Sequence, residues 1–235
     1  MSTSANLSTS REDKVAIALQ EMKEELDRLD PSSQTNDEAG WQERKSASTR
    51  IALLNATINC LAEFGYAKTT TQLVAASAKI SRGAMLHHYS AKAELISATI
   101  DFIMFLRMDK FYSEISRLTK KQRVEQGEGV EIFWNSMQTA EYDAYLELSI
   151  AARTDKDLEK VFVKRARAFD EYCFNQIAVF FPEWDDKTKE KQRLAQDLIV
   201  CALEGLYIRK QVISTRQRRL AVRSYITNMV QILRE

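Results

Sequence analysis

The sequence predicts an all-α protein, and three observations carry that reading. Its 235 residues include only 2 prolines and 6 glycines, too few for the tight turns of a sheet-rich fold. Apolar residues recur three and four positions apart along most of the chain, the period of a helix with one buried face. The breaks in that period, at Pro31, Gly65, Gly127 with Gly129, and Pro182, divide the chain into helix-sized pieces. No self-similarity recurs at 20 to 50 residues, which argues against a solenoid. A chain of this length suffices for one large or two modest domains with a substantial core.

The Ser/Thr-rich start gives way to Val15, Leu19, Met22, Leu26 and Leu29, a short coiled-coil-like seam that predicts a helix over Asp13 to Leu29. Pro31 ends it, and residues 32–40 read as a polar linker. A helix is expected from about Ser46 to Phe64, with Ile51, Leu54, Ile58 and Leu61 on one face and Gly65 as its stop. Thr69 with Gln72 forms a capping-box pattern opening a short helix to Ala78. Lys79 and Ile80 make a tight turn. Ser81 caps a second short helix through His88, and Ser90 caps a long one carrying Leu95, Ile96, Ile100, Ile103 and Phe111. Helical periodicity resumes through Phe133, Trp134 and Met137, and again from Tyr142 to Ala152. Asp155 then opens a long helix, and two more follow, from about Thr188 to Val212 and from Gln217 to Leu233.

Two short helices joined by a tight turn, with a small residue at their crossing, make a helix-turn-helix. Ala75 is that small residue, and Val74, Ile80 and Met85 are placed to seat the pair on the preceding helix. Such a unit holds its second helix outward, so that the N-terminal side chains can enter a DNA major groove. Charge supports the placement. Residues 1–40 carry 4 basic and 9 acidic side chains, whereas residues 41–100 carry 7 basic and 3 acidic ones, within a chain of net charge +1.

Other classes fare poorly. The three cysteines, Cys60, Cys173 and Cys201, are far apart and form no CxxC, so neither a disulfide framework nor a zinc knuckle is expected, and they read as core filler. The adjacent His87 and His88 point about 100° apart on a helix, and no third ligand lies nearby, so no metal is expected. No GxSxG, phosphate loop or HExxH occurs, which leaves no catalytic residues and no cofactor to assign. The opening Met-Ser-Thr-Ser lacks the layout of a secretory signal. No apolar run approaches the roughly 18 residues of a membrane span. A cytoplasmic, non-enzymatic protein is the expectation.

Three runs then occur in order: Arg50-Ile-Ala-Leu-Leu-Asn-Ala; Phe64-Gly-Tyr-Ala-Lys-Thr-Thr; and Val74-Ala-Ala-Ser-Ala-Lys-Ile-Ser-Arg-Gly-Ala-Met-Leu-His-His-Tyr, followed by Lys92-Ala-Glu-Leu95. Over residues 46 to 97 the sequence resembles the TetR family of one-component regulators. The resemblance implies an N-terminal helix-turn-helix DNA-binding domain followed by a larger helical ligand-binding and dimerisation domain. The division is residues 1–40 as an N-terminal extension, 41–97 as the DNA-binding domain and 98–235 as the regulatory domain. It implies a ligand-responsive repressor that binds a palindromic operator in double-stranded DNA as a homodimer. A small-molecule inducer would shift the helix starting near Lys92 and change the spacing of the two recognition helices. The rival reading is a helical interaction protein that retains the fold without operator binding.

Carried over by position, the resemblance makes Arg82 and Ala84 the base-edge candidates, an Arg for guanine and a methyl for thymine. Gln72 matches a position that reaches a base in some members. Arg50, Thr70, His87, His88 and Lys92 fall among the DNA-binding positions, the last four where phosphates or sugars are gripped. Three departures stand out: Lys79 where Gly is usual, which predicts a left-handed turn residue; Leu86 where Tyr is usual; and Ala93 where Glu is frequent.

In the second domain, Trp134, Met137, Tyr142, Tyr145, Phe169 and Tyr172 are candidate walls for a mostly apolar or aromatic effector, with bundle core as the competing reading. Arg165 interrupts the apolar seam between Phe162 and Phe169. Three explanations stay open: pairing with an internal carboxylate such as Glu147, exposure to solvent, or contact with an anionic ligand. The homodimer is expected through the last two helices, with Ala195, Leu198, Ala202, Gly205 and Leu206 on one face and Val222, Ile226, Met229 and Leu233 on another.

Overall fold

A computed structural model describes residues 41–119, 128–180 and 189–234, together with Gln20 and Glu24. The expected helix over Asp13 to Leu29, the linker at 32–40, and the stops at Gly127 and Pro182 lie outside the described residues, those two isolated positions apart. Among the described residues all regular structure is helical: α1 (Trp41–Lys68), α2 (Thr71–Ser77), α3 (Arg82–His88), α4 (Lys92–Arg117), α5 (Glu128–Ser136), α6 (Ala140–Ala152), α7 (Lys156–Phe180), α8 (Lys189–Ile208) and α9 (Arg216–Arg234). None of these helices is long and apolar enough to cross a membrane.

Several ends follow the capping chemistry read from the sequence. Ser81 accepts from the Ala84 N–H at 3.2 Å and caps α3. Asp155 accepts from the Leu158 and Asp157 N–H groups at 3.0 and 3.1 Å, satisfying donors that the first turn of α7 leaves open. The cap of α2 differs from expectation by one residue. Thr70 caps it by accepting from Leu73 N–H at 3.1 Å, whereas Thr69 is buried and donates to Gly65 O at 2.8 Å. The helix starts at Thr71 with Thr70 as its cap, so Thr69 stands one residue too early and the Thr69/Gln72 capping box does not form. Ser90 stands one residue before the first cap position of α4. Its N–H and hydroxyl both donate to Glu94, each at 2.8 Å, so the helix start is fixed by a carboxylate reaching back.

Gly65 does not end α1 so much as bend it: its φ of 78° and ψ of 167° interrupt a helix that continues to Lys68. One apolar core joins α1 to α4 with α6 and α7, including Leu53, Leu61, Val74, Met85, Ile100, Leu148 and Phe162. A second lies between α5, α6, α8 and α9 around Met137, Tyr142, Leu203 and Ile226. The most extensive helix–helix contact is between α1 and α6, and α4 runs unbroken through the expected boundary at residues 97 and 98. The helix-turn-helix is therefore packed continuously onto the following helices.

The last two helices turn outward only part of the faces expected: Gly205 and Val222 are exposed. Ala195, Leu206 and Ile226 are buried in their own subunit. The outward stripe is Leu194, Cys201, Gly205 and Ile208 on α8, with Val222, Tyr225 and Ile232 on α9. The reason is that both helices are apolar on two sides, and spacing alone does not say which side meets the core. Nor are all cysteines core filler: Cys60 is buried, but Cys201 is exposed.

Candidate functional site

The helix-turn-helix is assembled as its sequence requires. Val74 and Met85 are fully buried, and Ala75 at the crossing is nearly so, which lets α2 and α3 approach closely. Ile80 packs against the same core. The turn between them passes through Lys79 at φ 56°, a conformation that L side chains adopt at a cost of about 1 kcal/mol. The Lys79 N–H bonds to Ala76 O and the Ile80 N–H to Ala75 O, at 3.1 and 2.9 Å, and these bonds hold the turn.

With its inner face pinned, α3 shows Arg82, Gly83, Ala84, Leu86 and His87 to solvent. Nothing lies within 4 Å of where a Cβ on Gly83 would stand, so the N-terminal turn of α3 is open to close approach. Gln72 and Thr70 are exposed at the start of α2. Arg50 and His88 are half-buried near the C-terminal end of α3. Burial, the neighbouring His87 and the positive charge of Arg50 hold the His88 imidazole below its ordinary pKa. Leu86, where a hydroxyl-bearing Tyr is usual, is 40% exposed and offers only apolar surface.

Lys92 is the exception among the expected phosphate-facing residues. Its Nζ donates to Tyr66 O at 2.8 Å and sits 4.2 Å from the centre of the Tyr66 ring. Burial there pulls the ammonium below the ordinary lysine pKa, opposed by the Asp155 charge. The side chain points into the joint between the domains. In that joint the Tyr66 N–H donates to Glu147 Oε1 at 2.7 Å, and the Tyr66 hydroxyl lies 3.1 Å from Asp155 Oδ2. Glu147 comes so close that a Cβ on Gly65 would meet its carboxylate oxygen at 2.9 Å. Sequence reasoning missed this cluster, whose members are separated by as many as 89 residues.

Beyond the helix-turn-helix a cavity of about 190 Å³ opens between α4, α5, α7 and α8. Tyr145 and Phe169 line it, as expected. Trp134, Met137 and Tyr142 are instead buried in the adjacent core: Trp134 packs edge-on against Tyr207, and the Tyr142 hydroxyl donates to Glu204 at 2.8 Å. Tyr172 is on α7 but is not a lining residue. Arg165 is also outside the cavity. It forms a two-pronged pair with Asp101 and donates to Ser97 at 3.0 Å, so it does meet a carboxylate, but the exposed Asp101 at the surface and not an internal one such as Glu147. The cation that does line the cavity is Arg107, stacked over Tyr145, Phe169 and Tyr142 at 4.0, 4.8 and 5.2 Å. Its signal was present in the sequence, an Arg inside the apolar run Phe105-Leu106-Arg107-Met108.

Residues 53–99, which span the seat of α1, both short helices and the start of α4, match the family described as bacterial regulatory proteins, tetR family. By that match this segment is a TetR-family helix-turn-helix. Relatives described as HTH-type transcriptional regulators of Mycobacterium tuberculosis and Mycobacterium bovis are 24% identical over 122 residues. That stretch is 52% of this chain and spans 62% of the length of those relatives. The TetR fold extends further than the matched segment. A TetR transcription regulator from Haloarcula marismortui superposes with a TM-score of 0.61 at 18% identity, covering 79% of this chain and 98% of that one. A TetR-family protein from Streptomyces coelicolor gives 0.56 at 18% identity, covering 77% and 96%. The multidrug binding protein EbrR, solved with imidazole, gives 0.53 at 18% identity, covering 76% and 93%.

Proposed function

We propose that this protein regulates transcription by binding a palindromic double-stranded DNA operator as a homodimer, and that a small-molecule inducer releases it. The observation that carries the DNA reading is the outward face of α3. Arg82 and Ala84 are free to meet base edges, while Met85 beside them anchors the helix to the core. Gln72 stands where it can reach a base, and Thr70, Arg50, His87 and His88 surround that face to grip the backbone; Lys92 acts on the joint instead.

The dimer reading rests on the apolar stripe of α8 and α9, where Tyr225 and Ile208 are 76% and 61% exposed. Gly205 sits on that stripe with open space around it, room for a second helix to approach. Two copies joined through it would make a four-helix, two-fold interface. The inducer reading rests on the cavity and on α4, which carries Lys92 at the helix-turn-helix end and Arg107 at the cavity end. EbrR, which shares the fold, has been solved with imidazole and with ethidium.

Selection of bound sequences from a random DNA pool tests the reading. The expected result is enrichment of an inverted repeat that binds steeply less well as salt rises. No enrichment would leave the helical interaction protein as the better account.

A further inference from the structure

The regulatory cavity is shaped by what its wall leaves unsatisfied. Gln192 is only 2% exposed, yet neither its amide nitrogen nor its amide oxygen has a hydrogen-bond partner. The Gln196 amide oxygen and Arg107 Nη1 are likewise buried without partners. All three residues line the same space. A buried polar group without a partner is costly, and a charged one more so. A cluster of them around one cavity points to a guest that completes the bonds.

The sign of the guest follows from which wall charges are already engaged. Asp170 pairs with Arg193 at 2.9 Å. Glu204 accepts from the Tyr142 hydroxyl. Burial pushes the Cys173 thiol up to about 12, so it stays neutral near pH 7. Arg107 has aromatic rings beneath it but no carboxylate within pairing distance among the described residues. Glu204 keeps its charge but spends an oxygen on the Tyr142 hydroxyl; among the described residues, the charged group on this wall with a buried polar atom left partnerless is Arg107, so the open bond is a cationic donor's. Size narrows the guest further. A cavity of about 150 Å³ can hold a benzene, and drug-sized ligands fill roughly 300 Å³ or more. At about 190 Å³ this one suits a single substituted ring, with Phe133, Tyr145 and Phe169 as flat apolar walls.

We propose that the cavity binds a monocyclic aromatic carboxylate, its carboxylate accepting from Arg107 and the Gln192 amide. This deepens, and rests on, the inducer reading above. A guanidinium matches a carboxylate with two parallel N–H donors, a geometry that neutral and cationic head groups cannot use. A hydroxyl or other donor on the ring would satisfy the Gln192 and Gln196 oxygens.

The test titrates the full chain with benzoate, benzamide and benzylamine by calorimetry, and then repeats each in a DNA-release assay. Benzoate is expected to bind at least about tenfold more tightly than the other two. Arg107→Gln should erase that preference while leaving the circular dichroism spectrum unchanged. Should that variant fail to fold, Gln192→Leu and the ranking on the natural protein decide: the variant should lose affinity for benzoate. Benzylamine or benzamide binding as well as benzoate overturns the carboxylate assignment and leaves the inducer reading standing. Benzoate binding with the expected preference but without DNA release supports the assignment and defeats the inducer reading. No binding by any of the three overturns the assignment.

Discussion

The two ends of α4 sit in cores of opposite character. Around Lys92 the buried polar groups are matched: Thr57, Thr69 and Thr99 each donate to a backbone carbonyl, and Lys92 caps a carbonyl and a ring together. Around Arg107, 15 residues further on, Gln192, Gln196 and the guanidinium itself are left with open bonding capacity. The same helix thus joins a region finished by its own chain to one that is not. A saturated polar core rigidifies, and a half-satisfied one is the natural place for another molecule to act.

Core truncation should separate the two regions most sharply. Met85→Ala removes a fully buried side chain under α3 and is expected to lower stability by roughly 2–5 kcal/mol, read by urea unfolding. Gly65→Ala comes next. It forces a side chain into a positive-φ position and against Glu147, at a cost of about 1–3 kcal/mol, so a normal melting temperature would refute the close approach. Arg82→Ala should lose roughly 1–3 kcal/mol of binding on a selected operator and relax base choice at one position, leaving stability unchanged. At the opposite end of α4, Gln192→Leu should leave unfolding within about 1 kcal/mol of the natural protein, or raise it, because it deletes an orphaned amide.

The smallest effect concerns pH. His88 is held below the ordinary histidine pKa in the free protein. The free fold therefore gains from His88 above the unfolded value, near pH 6.5, and loses that gain as pH falls through the folded value. A DNA phosphate raises the same group's pKa, so operator affinity should rise as pH falls through that range. Mobility-shift titrations of His88→Gln should be flatter with pH than those of the natural protein.

The helix-turn-helix was legible because its signals are local. Ser81, Ala75 and Lys79 act within a few residues of themselves, and each is found in its expected role or conformation. The cap of α2 fell one residue away because Thr69 and Thr70 are chemically equal, and only the bend at Gly65 decides between them. The resemblance places Lys92 toward phosphate, and nothing local corrects it, because its partner Tyr66 is 26 positions away and no spacing rule connects the two. Arg165 and Arg107 present the same local sign, a cation amid apolar residues. Which one meets a carboxylate depends on Asp101 lying one helix over.

The contact of Glu147 with Gly65 and Tyr66 bears on modularity. A fragment ending near residue 97 would carry the whole motif, yet would leave the Tyr66 N–H without Glu147 and the α6-facing side of α1 in water. Two regions that are separate in purpose are then one unit in thermodynamics and should unfold in a single transition. Transplanting this helix-turn-helix onto another helical bundle would require carrying the α6 clasp with it.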